Sequence, residues 1–482
     1  MEITKDIREA HETLSDFSVK FLEFVEKNPE SLSRSNYEAL YEIHFDLVFP
    51  QPWPAFVSQL TRKKLEEAGR EVFKLIKCIP ECLFANDVEK MSEYYQVPAD
   101  IVKFQLDGVT REHLNNILGR GDFIFSPSGL KCLEYNISSA LGGWSIAFME
   151  PLYSSEPIIS KFLREYGLKI RNKSLMVVLF EHLLKAAVDK YPEAHEINIA
   201  VVVPGYGKHS EETLQKIHLD RIFKNILQLK YNDLKGEIVF GDFIHLKIVD
   251  KFLFYNDKKI HLLLEMYNGD VPVEMMEIFK AGNVLLYNGP ISELLSNKLN
   301  LALLSENEDS DVFNLEERRI IKEYIPWTRK VVPGEVTFGT DTFILEDFIL
   351  SNQDKLVMKP ADRFGGEGVY VGRYISALDW KGLIEVALYQ KNWLVQEYVE
   401  SFPFLHQAGL NGCSGHDVVW GVFIFGEQYA GTFLRVLPRG KNTKGIINSH
   451  MGAEYSVIFE VEEGRTKNPE SPKKNKNERR SS

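Results

Sequence analysis

A mixed α/β (α+β) chain of several structural units is predicted by three observations. Helical periodicity runs through about the first 100 residues, helix and strand patterns alternate from there to about residue 463, and a glycine-rich loop sits between two short strands. At 482 residues the chain is too long for one ordinary core, and its 44% hydrophobic content supports two or three. A net charge of −12 argues against general binding to nucleic acid or to an anionic membrane. No apolar run approaches the roughly 18 residues that a spanning helix needs, and the charged start MEITKDIREAHETLSDF lacks a secretory pattern. Cys78, Cys82, Cys132 and Cys413 show no zinc-ligand spacing, so a reduced, cytoplasmic setting is expected.

From Ile7 to about Val88, apolar residues recur at helical spacing, with Leu14, Phe17, Phe21, Phe24 and Val25 on one face and a proline-rich break from Pro50 to Pro54. Residues 1–100 are therefore read as a helical region that supplies core and no chemistry. Between Ile101 and Met149 the pattern turns to strands, and DFIFSPSGLKCLEYN gives two runs about the turn SPSG, a hairpin within a unit spanning 101–150. Residues 151–312 alternate helix and strand through SLMVVLFEHLLKAAVDK, INIAVVVP, GEIVFGDF and NVLLYNG, which predicts a separate α/β unit with a partly parallel sheet. The stretch PGYGK, Pro204 to Lys208, lacks a dinucleotide fingerprint and is read as a loop. Residues 313–400 read helix, strand, glycine loop, strand, helix, strand, and 401–463 are β-rich. The basic, proline-containing 464–482 are expected to be a disordered tail.

Two constellations carry chemistry. In KPADRFGGEGVYVG, Gly365, Gly366 and Gly368 leave backbone N–H groups free to face an anion, and Lys359 adds a charge at the strand end. No Gly-Lys-Ser/Thr follows, so this is not a Walker loop, and a solvated glycine hairpin is the alternative. In GRGDFIFSPSGLKCLEYN, residues two apart share a strand face, so Arg120 pairs with Asp122 and Glu134 with Asn136. A tight hairpin brings all four onto one surface, where two carboxylates and an amide oxygen suit Mg²⁺. A solvated polar face is the alternative there.

Together these motifs resemble the ATP-grasp superfamily, in its circularly permuted branch of glutathionylspermidine synthase-like proteins, over roughly residues 100 to 460. The motif order points to that branch, because Asp122, Glu134 and Asn136 precede Lys359 by more than two hundred residues. The resemblance implies Asp122, Glu134 and Asn136 as magnesium ligands and Arg120 as a stabiliser of transferred phosphate or acyl-phosphate charge. It implies Lys359 on the nucleotide phosphates, a lid at Gly365, Gly366 and Gly368, and a hinge strand at Gln396, Glu397, Tyr398 and Val399 supplying backbone hydrogen bonds to adenine. Lys330, with Arg329 as rival, stands for the first lysine of the small lobe, within 313–400. Arg435 and Asn448 match strands facing such sites, with a structural ion pair as the other reading of Arg435. His416 and His450 have no ligand-spaced partners, so satisfied or exposed histidines are favoured there.

The activity implied by the resemblance is that of an ATP- and Mg²⁺-dependent ligase joining a small-molecule or peptide carboxylate to an amine through an acyl phosphate, with 151–312 on the substrate side and 401–463 completing the large lobe. A carrier protein fits the acidic surface equally well; nucleic-acid and membrane partners are not implied. The rivals are a kinase on the same fold and a silent nucleotide-binding protein. The helical leader is unlike an amidase segment with a nucleophilic cysteine, so the polyamine substrate is not implied.

Overall fold

Nine consecutive buried residues make Leu118–Ser126 an inner strand of the largest sheet. In the computed structural model, residues 3–28, 53–203, 211–266, 271–363, 365–408 and 412–463 are described. The expected loop at 204–208 and tail at 464–482 lie outside them. The large sheet runs in the order Ala55–Val57, Glu454–Glu463, Gln428–Pro438, Gly412–Phe425, Leu118–Ser126, Gly129–Asn136. Phe404–Ala408 adds to Gly412–Phe425, and Leu168–Ile170 to Glu454–Glu463. Residues from both ends of the chain thus share one sheet with the expected hairpin.

The helix Gln59–Cys82 covers the back of this sheet through Leu65, Ala68, Val72, Phe73 and Ile76. Its approach depends on Gly69, where a Cβ would lie 2.7 Å from the Val422 side chain. Ser58 caps the helix by accepting the Thr61 N–H at 3.1 Å.

A four-stranded antiparallel sheet, Thr328–Lys330, Trp393–Glu397, Leu356–Pro360, Tyr370–Val371, holds the lysine and the glycine loop. The helices Leu345–Ser351 and Ala377–Gln390 close its core around Trp380, Met358 and Val395. A third sheet is fully parallel, in the order Leu285–Tyr287, Leu262–Glu265, Ile199–Val202, Ile238–Gly241. A mixed α/β architecture with several sheets is the class expected.

Several elements differ from the sequence reading. Ala55–Val57 is a strand inside the supposedly helical region, pairing in parallel with Ile458, Phe459 and Glu460, because three apolar residues gain burial there on both faces. Ala99–Leu106 and Arg111–Asn116 are helices where strands were expected; Pro98 and Thr110 occupy their N-caps, and Thr110 accepts the His113 N–H. Ile146–Ser155 is likewise a helix. Leu262–Glu265, an inner strand of the parallel sheet, was missed because its four residues are all buried and carry no alternation.

Candidate active site

The hairpin Leu118–Ser126/Gly129–Asn136 places Asp122 opposite Glu134 and Arg120 opposite Asn136, with a bulge after Asp122. Its glycines explain how the charges come to face one way. A Cβ on Gly119 would meet the Phe73 and Tyr135 rings at 2.9 Å, and one on Gly121 would meet Phe123 at 2.4 Å. In GRGD, therefore, the glycines let an aromatic layer press on one face while Arg120 and Asp122 occupy the other. Phe73 and Tyr135 stack at 5.0 Å in that layer.

Asp122 is 1% exposed and heavily engaged. Arg120 Nε donates to its Oδ1 at 2.8 Å and Nη2 to its Oδ2 at 3.0 Å. Arg435 Nη2 lies 2.6 Å from Oδ2, and Asn136 Nδ2 donates to the same oxygen at 3.1 Å. Burial pushes the Asp122 carboxyl up, but the Arg120 and Arg435 guanidiniums outweigh it and hold the group well below the usual carboxylate range. Both guanidiniums rest over the Phe433 ring, at 5.2 Å and 5.8 Å. Gly421, directly across from Asp122, makes room for that ring, since a Cβ there would fall 2.0 Å from Phe433.

Glu134 is more open, with its side chain 22% exposed and Lys298 Nζ 3.6 Å away. Lys298 also donates to the Arg363 carbonyl at the start of the glycine loop. The buried Lys359 donates to the Leu133 carbonyl at 3.1 Å and to Gln396 Oε1 at 2.7 Å. Burial lowers its ammonium to about 8, against the attraction of Glu134 and with help from Lys298. Gly365, Gly366 and Gly368 all take positive φ, between 65° and 77°, and Asn448 Nδ2 donates to the Gly365 carbonyl.

One cavity of about 100 Å³ is lined by Asp122, Glu134, Lys359, Gly366, Arg435 and Asn448, together with Gln396 to Val399. Ile124, Val399 and Val419, with Leu133 and Ile447 packed on them, form its apolar part. Arg435 Nε is buried with no hydrogen-bond partner among the described residues. Arg120 and Asn136 line a second cavity of about 370 Å³, which also borders Ser138, Leu141 and Glu265.

Two expected contributions meet other partners here. The Lys330 ammonium donates to the Tyr94 carbonyl and sits 4.4 Å over the Tyr94 ring. Arg329 turns instead to Ser305 at 2.8 Å. The hinge backbone is also less available than expected. Trp393–Glu397 lies between two strands, the Glu397 N–H is donated to Trp327 at 2.9 Å, and the Tyr398 N–H to Lys355 at 2.8 Å. Gln396 acts here through its side chain, which links Lys359 to Thr328 Oγ1. The sequence reading missed Lys298 and Phe433; a lysine before a helix and a phenylalanine in an apolar strand carry no motif signal.

No protein-family model matches the sequence, and no curated protein does. Among solved structures, a glutathione synthetase-like effector from Globodera pallida, in its apo form, matches with a TM-score of 0.54 at 11% identity, covering 93% of this chain and 99% of that one. The chain shares that fold. A Methylobacillus flagellatus protein assigned as a gamma-glutamylcysteine synthetase gives a TM-score of 0.40 at 11% identity, covering 84% of this chain and 89% of that one. No described helix is long and apolar enough to cross a membrane.

Proposed function

We propose that the chain is an ATP-dependent carboxylate–amine ligase of the circularly permuted, glutathionylspermidine synthase-like ATP-grasp branch. The observation that carries this reading is the shared cavity. Lys359, Arg435, Asn448 and Gly366 line one cavity with the carboxylates Asp122 and Glu134, the apolar Ile124, Val399 and Val419, and the residues Gln396 to Tyr398. A nucleotide needs apolar walls for its base and cationic, glycine-lined ones for its phosphates.

Asp122, Glu134 and the Asn136 side-chain oxygen form a hard donor set that fits Mg²⁺, with Asp122 and Glu134 paired across the hairpin. The ion, when bound, neutralises phosphate charge. Lys359 and Arg435 hold the phosphates, and the unpartnered Arg435 Nε–H gains an acceptor. Arg120 lines the larger cavity, with its guanidinium fixed by Asp122 and by donation to the Gly142 carbonyl at 2.9 Å. There it stabilises charge on a substrate acyl phosphate reached from the larger cavity. The glycine loop excludes water from that intermediate.

Incubation with Mg-ATP and a metabolite pool, followed by an ADP assay and mass spectrometry, is expected to show ADP with a condensed product. A phosphorylated product without condensation replaces the ligase with a kinase, and no ADP with any pool ends both.

The lysine makes a separate prediction. Phosphates favour the charged form, so Lys359, already charged below about pH 8, costs nothing extra there. Above that pH it must take up a proton to bind, and affinity for a non-hydrolysable ATP analogue is expected to fall by up to roughly tenfold per pH unit. Lys359→Ala is expected to weaken binding about tenfold at pH 7 and to flatten this decline. Calorimetry across pH 6 to 9 checks both, and equal affinity in mutant and parent removes Lys359 from the site.

A further inference from the structure

Two cysteines that line neither cavity sit together at the end of the helix Gln59–Cys82. Cys78 and Cys82 are four residues apart, and so on one face, with their sulfurs 2.8 Å from each other. Neither is fully buried. Four residues rise about 6 Å along a helix, inside the roughly 4.4–6.8 Å that a disulfide spans between Cα atoms, so a bond between the sulfurs needs no unwinding. The turn that carries them is loosely held. Pro80 has no N–H to give the Ile76 carbonyl, and beyond Cys82 the chain leaves the helix through Ala85 and Asn86 at φ of 50° and 57°, a left-handed conformation that an alanine holds only under constraint. Ala85 and Asn86 donate back to the carbonyls of Glu81 and Pro80, the residues between the thiols, at 3.0 Å and 2.7 Å. The two thiols also differ. The hydrogen bond with Cys78 holds the Cys82 thiol below its ordinary value against burial and the carboxylates Glu317 and Glu81, whereas the same bond and burial push Cys78 up. Cys82 therefore gives up its proton the more readily. Cys132 is buried, and burial and Asp122 push its thiol up.

We propose that Cys78 and Cys82 form a redox-active dithiol that hydrogen peroxide closes to a disulfide within the helix. The Cys82 thiolate attacks one peroxide oxygen, the O–O bond breaks, and the leaving hydroxide takes up the proton that Cys82 released, giving water and a sulfenic acid. The Cys78 sulfur then attacks the Cys82 sulfur. The S–O bond breaks as the S–S bond forms, and the departing hydroxide leaves as a second water with the Cys78 proton. Two thiols lose two electrons, and one peroxide gains them. Because the resolving thiol is already in contact, the sulfenic acid is consumed before a second peroxide carries it to the sulfinic state, and an external dithiol restores the pair. A reducing setting keeps both as thiols until an oxidant arrives. The site lies apart from the cavities and stands independently of the ligase reading.

The test exposes the full chain, reduced and freed of reductant, to a small excess of hydrogen peroxide, blocks the remaining thiols with an alkylating agent and maps the tryptic peptides by mass. Cleavage after Lys77 and Lys90 puts both cysteines in the single peptide 78–90. That peptide is expected to become unalkylated and lighter by two hydrogen atoms, at least about tenfold faster than Cys132 is oxidised, and dithiothreitol is expected to restore both thiols. Cys78→Ser is expected to stop at the sulfenic acid, which dimedone traps on Cys82, and Cys82→Ser to slow the reaction with peroxide about tenfold. The parental chain carries the first reading whatever the variants' folding. Retention of both thiols in peptide 78–90 after Cys132 has reacted, a disulfide from either cysteine to Cys132, Cys413 or a second chain, or a parental peroxide rate in Cys82→Ser overturns the proposal.

Discussion

Asp122→Asn is expected to abolish turnover and to lower the unfolding midpoint together, whereas Glu134→Gln is expected to abolish turnover with the midpoint nearly unchanged. From the sequence the two carboxylates look equivalent, and an isosteric amide at either is expected to spare the fold. Their surroundings separate them. Asp122 is buried, with Arg120 at 2.8 Å and Arg435 at 2.6 Å, so removing its charge leaves two cations in a poorly solvated place with no anion between them. Breaking such a buried pair from one side costs about 3–5 kcal/mol. Glu134 lines the cavity with its side chain 22% exposed, Lys298 at 3.6 Å, Lys359 attracted to it and Asp122 hydrogen-bonded beside it, and its more solvated charge is expected to cost under about 1 kcal/mol to remove. Denaturant titration and an ADP assay on both variants check this. Activity of Glu134→Gln at saturating Mg²⁺, or a parental midpoint for Asp122→Asn, would remove the corresponding role.

The hairpin was legible because strand periodicity is short-range: residues two apart share a face, and one turn fixes which residues oppose each other. That is enough to place Arg120, Asp122, Glu134 and Asn136 together without knowing anything of the rest of the chain. The same locality explains the glycine loop, whose positive φ values are a property of the residues themselves. What was not legible depends on distant packing. Lys298 becomes part of the site only because the helix after it docks beneath the loop, with the Lys298 N–H bonded to the Ala361 carbonyl at 3.0 Å. Phe433 matters because Gly421, on the neighbouring strand, leaves a hole for it. Lys330 shows the same dependence on distant packing. Its strand position was right, but which neighbour its side chain meets was set by Tyr94, more than two hundred residues away. At the level of the whole chain, 11% identity with a protein of the same fold shows how little of the architecture is written in residue identities. Burial pattern and turn chemistry persist where side chains do not.

Gly366→Val is expected to reduce turnover tenfold or more while moving the unfolding midpoint little, and to raise the ADP formed per product. The backbone at Gly366 has φ of 77°, a conformation costing about 1–2 kcal/mol for any L side chain and more for a β-branched one. A Cβ there would also fall 2.7 Å from Asn448 Nδ2, in the hydrogen bond that ties the loop at Gly365. Both effects act on the loop and on the cavity wall it forms, not on a core, since residues 365 to 368 are exposed or half-buried. The loop therefore moves rather than the fold failing. With the cover displaced, water competes with the amine for the acyl phosphate, so ATP is consumed without condensation. Gly382→Ala serves as the control: it lies in the helix Ala377–Gln390 of the same sheet's core, with nothing within 4 Å of the added carbon, and is expected to leave both ratio and rate at parental values. ADP and product measured in one reaction decide between the outcomes. A Gly366→Val protein with full activity and an unchanged ratio would show that this loop covers no phosphate, and the nucleotide assignment of the whole cavity would fall with it.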